Sequence, residues 1–260
     1  MKRFIAPQGW FAMSYPDSWN EFEDEPGSFL FYDPDQWEGN FRISAYRDAS
    51  PEFAALSMRQ EQAEIASARL VQLGGRSWVF SQEEFQEDGT DYTTCFWLGG
   101  EGGTLLSASF TMERGASAAP AEQILASVEI RREGAKYPAE VIPVRLAEIA
   151  CIDQAYEWVE HEVKERLKRD FQGTEEDLAS MQQLVDAGCY KPKQRDAWLA
   201  LGIAYCVILA NEVDGWEWRT LIDGNREAPL LVHVDSGEQL DPMKVAWSKV
   251  KAGEKVQFVS

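Results

Sequence analysis

Residues 40–47 read N-F-R-I-S-A-Y-R, and this octapeptide decides how the first half of the chain is to be understood. Phe41, Ile43 and Ala45 fall on one side of an extended backbone, and Arg42, Ser44 and Tyr46 fall on the other. That two-residue period belongs to a half-buried antiparallel strand. Working outward, the same chemistry recurs in Trp10 to Tyr15, Ser28 to Tyr32, Trp78 to Glu84, Tyr92 to Leu98 and Thr104 to Thr111. Each stretch is rich in aromatic or β-branched residues and bounded by Gly, Pro or Asp turns. L-G-G-E-G-G-T at residues 98–104 is expected to be a flexible hairpin loop.

Two helices are expected to interrupt these strands. Ser50 caps the first, with Pro51 at its first position, and Phe53, Leu56, Ala63, Ala66 and Leu70 lie along one face before Gly74-Gly75 ends the unit. The second, from about Pro120 to Ser127, uses Ile124 and Leu125 for its apolar contact. The order is three strands, helix, three strands, helix and a final strand, which predicts an antiparallel sheet with helices packed against it.

Beyond Gly134 the period changes. Residues 134–142 carry Gly and Pro with little periodicity and are expected to link a domain at 1–133 to another at 143–260. From Val144 to Phe171, Ile149, Ile152, Tyr156, Val159, Val163 and Leu167 form the stripe of a long amphipathic helix, with Glu160/Lys164, Glu162/Arg166 and Glu165/Arg169 as pairs four apart. Thr174 and Asp177 cap a second helix ending at Gly188, and a third runs from about Lys193 to Val213. Strands W-E-W-R-T-L-I and A-P-L-L-V-H-V flank the Asp223-Gly224-Asn225 turn, a helix opens at Asp241-Pro242, and V-Q-F-V-S closes the chain as a strand. The expected class is α+β, an antiparallel α/β sandwich followed by a helix-rich α+β domain with a small sheet.

The opening phrase W-F-A-M-S-Y-P-D-S-W, Trp10 to Trp19, joins an aromatic strand to Tyr15-Pro16 and Trp19. With the βββ-α-βββ-α-β order it resembles PsbP-like and Mog-like domains. That resemblance implies a small α/β sandwich and a role in binding, since relatives serve as photosystem extrinsic subunits, partners of a small GTPase and envelope or secretion-linked proteins. No shared catalytic residue comes with it. The second half, with G-I-A-Y-C-V-I-L-A-N-E-V-D-G-W-E-W, P-L-L-V-H-V and D-P-M-K-V-A-W, resembles a bacterial domain family of unknown function. Together the halves resemble an uncharacterised two-domain bacterial family.

The 260 residues hold 44 Asp and Glu against 25 Lys and Arg, a formal charge of −19, with 45% hydrophobic and 12% aromatic residues. That mix argues for a globular core and against disorder. Lys164–Arg169 and Lys191–Arg195 are interleaved with or bordered by acids, so nucleic acid and membrane surfaces are not expected partners. M-K-R-F-I-A-P-Q-G-W has too short an apolar stretch for an export signal, and Trp198–Ala210 is short of the roughly 20 apolar residues of a membrane span. Cys95, Cys151, Cys189 and Cys206 show no metal or disulfide spacing, which predicts reduced thiols and a cytoplasmic setting.

Catalytic and metal motifs are all incomplete. His161-Glu162 begins an H-E-x-x-H pattern, but Glu165 stands where the second imidazole belongs; Glu157, His161 and Glu165 share a helix face, read as solvated. Asp33, Asp35 and Glu38 start like a calcium loop, but Trp37 and Gly39 break its spacing. His233 and Asp235 share one strand face as a weak nucleophile-activating pair, and Gly99–Gly103 lacks the Lys-Ser/Thr of a phosphate loop. No catalytic residue, metal or cofactor is expected.

The most suggestive cluster is Glu21, Glu23, Asp24 and Glu25 with Trp19 and Phe22 interleaved, and Asp35 and Trp37 nearby. Aromatics amid like charge can recognise a basic partner, although the same rings could instead turn into the core. The expected function is therefore non-catalytic protein binding, as an adaptor or immunity-like protein acting through an acidic surface on a basic partner. A hydrolase with a site in an interdomain cleft and a structural homo-oligomer subunit are the alternatives.

Overall fold

The structure, a computed structural model, describes residues 1–132, 134–224 and 226–259. It is an α+β protein of two compact units, residues 1–136 and 137–260.

In the first unit, β1 (Lys2–Ile5), β2 (Phe11–Tyr15), β3 (Asn20–Phe22), β4 (Ser28–Tyr32) and β5 (Asn40–Arg47) precede α1 (Phe53–Glu64). Then come β6 (Arg69–Leu73), β7 (Arg76–Glu87), β8 (Thr90–Glu101), β9 (Thr104–Glu113), α2 (Ala119–Ala126) and β10 (Glu129–Ile130). Seven strands form an antiparallel sheet in the order β3-β4-β5-β9-β8-β7-β6, and β1-β2-β10 form a small second sheet. Alternation decides the faces. Phe41, Ile43, Trp97, Ala108 and Phe110 point into the core, where Phe4 of the small sheet meets Phe29 and Phe31 of the large one, each with ring centres 5.1 Å apart. Arg42, Phe85, Tyr92 and Glu113 alternate to the outer face.

Tyr15 lies in this core against Phe31. Burial, reinforced by Glu21 and Asp17, pushes its hydroxyl from 10.0 up to about 12. The folded state thus holds this proton more tightly than the unfolded chain, so the contribution is complete below pH 10 and is lost as pH rises through about 12. Tyr15→Phe is expected to flatten the fall of unfolding free energy across that window, and an unchanged slope in urea titrations at stepped pH would contradict it.

Four expectations for this unit are corrected. The first helix stops at Glu64, and Leu70 belongs to β6 and is 55% exposed. Gly74 and Gly75 both have positive φ and join β6 to β7 as a two-residue hairpin turn, so they close a strand pair and not a helix. The buried residue of α1 is Ala54, while Leu56 is exposed, so the proposed apolar stripe is not its packing face. In L-G-G-E-G-G-T only Gly102 and Gly103 turn; Gly99 and Gly100 are strand residues. A Cβ on Gly99 would stand 2.5 Å from the Trp78 ring, so this glycine makes room for an indole.

The second unit comprises β11 (Glu140–Pro143), α3 (Leu146–Leu167), α4 (Asp177–Asp186), α5 (Arg195–Glu212), β12 (Trp216–Asp223), β13 (Arg226–His233), β14 (Gln239–Leu240), α6 (Pro242–Val245) and α7 (Trp247–Lys251). The sheet runs β11-β12-β13-β14, all antiparallel. Val159 and Val163 of α3, Met181 and Leu184 of α4, and Leu201 and Ala204 of α5 form its core. Asp241 caps α6 by accepting from the Met243 amide, whereas Asp177, the first residue of α4, accepts from the Gln172 and Thr174 amides upstream and orders the entry turn in place of the expected cap.

The expected linker ends in β11, because Glu140–Pro143 pairs with Ile222–Arg219. The closing V-Q-F-V segment is not a strand. Val256 and Phe258 are buried, and Gln182 of α4 bonds the Val256 carbonyl and Phe258 amide through its side-chain amide, replacing a neighbouring strand. Glu133, Asn225 and Ser260, at the domain boundary, the 223–225 turn and the end of the chain, lie outside the described residues.

Candidate functional site

The acidic-aromatic cluster is divided by the fold. Trp19 is 2% exposed and stacked on Phe110 with ring centres 6.1 Å apart, so it is a core residue and not a recognition anchor. Hydrophobic burial outweighs its place in an acidic phrase. Glu21 is half-buried on β3, and Phe22 stacks on Tyr32 at 3.8 Å. Asp24 accepts from Ser28 Oγ and pairs with Arg42 Nε at 3.1 Å, so its charge is neutralised within the unit. Glu23, Glu25 and Asp35 are exposed.

Asp33 closes the 33–36 turn by accepting from the Asp35 and Gln36 amides at 2.9 and 3.0 Å. The Ser18 hydroxyl and these amides hold its carboxyl below the usual carboxylate range. It borders a concavity of about 750 Å³ with Ser18, Trp19, Gln36, Glu38 and Glu122. Turn chemistry, not calcium ligation, explains this aspartate.

Trp37 alone among the predicted aromatics is displayed, 42% exposed. Its indole N–H donates to Asn40 Oδ1 at 2.8 Å, and its ring stands edge-on to Tyr92 at 6.3 Å. Tyr92 in turn stacks on Phe85, its register partner across β7 and β8, at 5.4 Å. Sequence reading missed this end of the hairpin. The signal was Glu83, Glu84, Glu87, Asp88 and Asp91 around Phe85 and Tyr92, nearly 50 residues beyond Trp37 and brought to it only by sheet pairing.

In the second unit a groove of about 860 Å³ runs between α3 and α5, bordered by Cys151, Gln154, Trp158, Lys193 and Arg195. Burial raises the Cys151 and Cys206 thiols, so neither is held as a thiolate. Glu157, His161 and Glu165 are exposed on α3. His233 Nδ1 accepts from the Ser236 amide at 3.3 Å and its ring stands edge-on to Trp216, while Asp235 is exposed. The His233/Asp235 pairing is thus replaced by a turn contact. Arg145, Glu148, Glu227 and Thr220 form a buried polar cluster that sequence reading also missed.

Residues 1–153, all of the first unit and the start of α3, match the family model described as a domain of unknown function, DUF3805. The chain belongs to the DUF3805 family. In this DUF3805 protein residues 177–260 match a second model, the domain of unknown function DUF3806. The chain is similar to a protein of known crystal structure from Bacteroides thetaiotaomicron VPI-5482, with 54% identity, 99% of this chain and 95% of that one covered, and a TM-score of 0.95. Lesser structural similarity reaches PsbP (CyanoP) from Synechocystis sp. PCC 6803, at 13% identity, 50% and 92% coverage and TM-score 0.28. It also reaches LpqN of Mycobacterium tuberculosis, a protein involved in cell envelope biogenesis, at 15% identity, 47% and 83% coverage and TM-score 0.30. No curated protein matches the chain. No helix among the described residues is long and apolar enough to cross a membrane.

Proposed function

We propose that this DUF3805 protein works by binding a basic partner protein, as an adaptor or immunity-like protein, through the acidic outer face of its first unit. The observation that carries the reading is a charge imbalance on the long β7–β8 hairpin. Glu83 and Glu87 of β7, and Glu113 on the same face of β9 across the intervening β8, are exposed and have no ion-pair partner among the described residues. Arg114, the basic residue nearest this end in sequence, pairs with Glu84 and Asp91, which alternate to the opposite side of the strands. Uncompensated carboxylates on a rigid sheet attract a cationic surface and discriminate against anionic ones. Four free cysteines fit a reducing, cytoplasmic setting for that encounter.

The test is affinity capture from native lysate with the full chain and a Glu83→Gln/Glu87→Gln/Glu113→Gln variant, washed at low and high salt. A basic protein retained by the unaltered chain at low salt, released at high salt and lost with the variant is the expected result. Retention of only the chain itself, or of a partner indifferent to both salt and the variant, would overturn the reading.

A further inference from the structure

The carboxylates of this face are interleaved with aromatic rings, and that interleaving names a partner chemistry narrower than positive charge. Phe85 and Tyr92 are stacked with planes 24° apart, and Trp37 closes the row at 82° to Tyr92. Phe85 is 37% exposed. The hydrogen bond to Asn40 fixes the Trp37 indole, so the row is a preset surface and not a set of mobile rings. Glu83 and Glu87 flank Phe85 two residues away on each side, a spacing of about 7 Å along the strand. Glu113 is the register partner of Tyr92. Phe85 and Tyr92 therefore each have a carboxylate at their border.

A guanidinium is the group that satisfies both features at once. It is planar, weakly hydrated for a cation, stacks on an aromatic face and donates in a fork to a carboxylate at the ring edge. A lysine ammonium would meet the charge but forgo the stacking plane. Glu83, Phe85 and Glu87 repeat on one face of β7 at the interval with which an extended chain presents its side chains on one side. Resting on the reading above, we propose that the Trp37–Tyr92–Phe85 row is the docking surface for an extended, arginine-bearing segment of a partner protein, with Glu83, Glu87 and Glu113 as the paired acceptors.

Fluorescence anisotropy of labelled hexa-arginine and hexa-lysine on the full-length protein tests this directly. Hexa-arginine is expected to bind about tenfold more tightly than hexa-lysine, the scale of one or two exposed cation–aromatic contacts. Trp37→Ala/Phe85→Ala should abolish that preference, with hexa-arginine losing more affinity than hexa-lysine. Phe85→Ser alone should reduce the preference and guards against misfolding of the double variant, with unfolding midpoints as the control. The triple Gln variant should weaken both peptides.

Equal affinities in the unaltered protein, or a preference that survives loss of the rings, would overturn the docking surface while leaving the acidic-face reading intact. Loss of neither peptide in the triple Gln variant would overturn the acidic-face reading itself. Self-association in sedimentation velocity that disappears with Trp37→Ala/Phe85→Ala would assign the row to a second copy of the chain and overturn the arginine proposal.

Discussion

Arg145→Leu is expected to cost about 3–5 kcal/mol of folding stability, because it strands a buried carboxylate. Arg145 is 2% exposed, and its guanidinium donates to both oxygens of Glu148, at 2.7 Å from Nε and 2.6 Å from Nη2, and to Glu227 at 2.7 Å. Thr220 on β12 completes the cluster, donating its hydroxyl to Glu148 at 2.8 Å and accepting the Arg145 amide at 3.2 Å. These contacts tie the start of α3 to β12 and β13 of the four-stranded sheet. Removing the cation leaves Glu148, 6% exposed, with the Thr220 hydroxyl as its one remaining side-chain donor among the described residues.

The matching result concerns the pair. Arg145→Leu/Glu148→Leu should recover most of the loss, since apolar replacement of both partners of a buried ion pair is often nearly neutral. Denaturant midpoints for the four members of this double-mutant cycle decide the matter. A single variant that costs less than about 1 kcal/mol, or a double variant no more stable than Arg145→Leu, would show that the cluster is solvated in solution.

Trp19→Ala and Trp37→Ala are expected to act oppositely. Trp19 fills the core against Phe110, and its truncation should cost about 3–5 kcal/mol through lost burial and the cavity left behind. Trp37 is exposed, and its truncation should cost under about 1 kcal/mol while weakening arginine-dependent binding. Chemical denaturation of both variants, set beside the peptide titrations, separates the roles. Comparable stability losses would place Trp37 in the core and remove the aromatic row from the binding surface.

The contrast between these two tryptophans also measures how far local reading extends. Both stand in short acidic phrases, and nothing within ten residues of either tells which turns inward. Similarly, Gly74-Gly75 could end a helix or turn a hairpin, and the place of Leu70 in a strand is decided by the pairing of β6 with β7. The tail residues Val256 and Phe258 alternate like a strand, but Gln182, 74 and 76 residues away, supplies their backbone partners.

Period and composition by themselves determined the α+β class, the strands around Phe41–Ile43, the long α3 and apolar α5, and the acidic character that weighs against nucleic acid as a partner. Those properties are encoded in spacings of two to four residues and in net charge, which need no knowledge of neighbours. Only the tertiary structure decided that Trp19 is core, that Arg145 is buried with Glu148 and Glu227, and that Trp37 meets Tyr92, itself stacked on Phe85, on a face with three glutamates that have no ion-pair partner among the described residues. Sheet order set these meetings, bringing together side chains dozens of residues apart, and the burial they create fixes the energetic worth of each charge and ring.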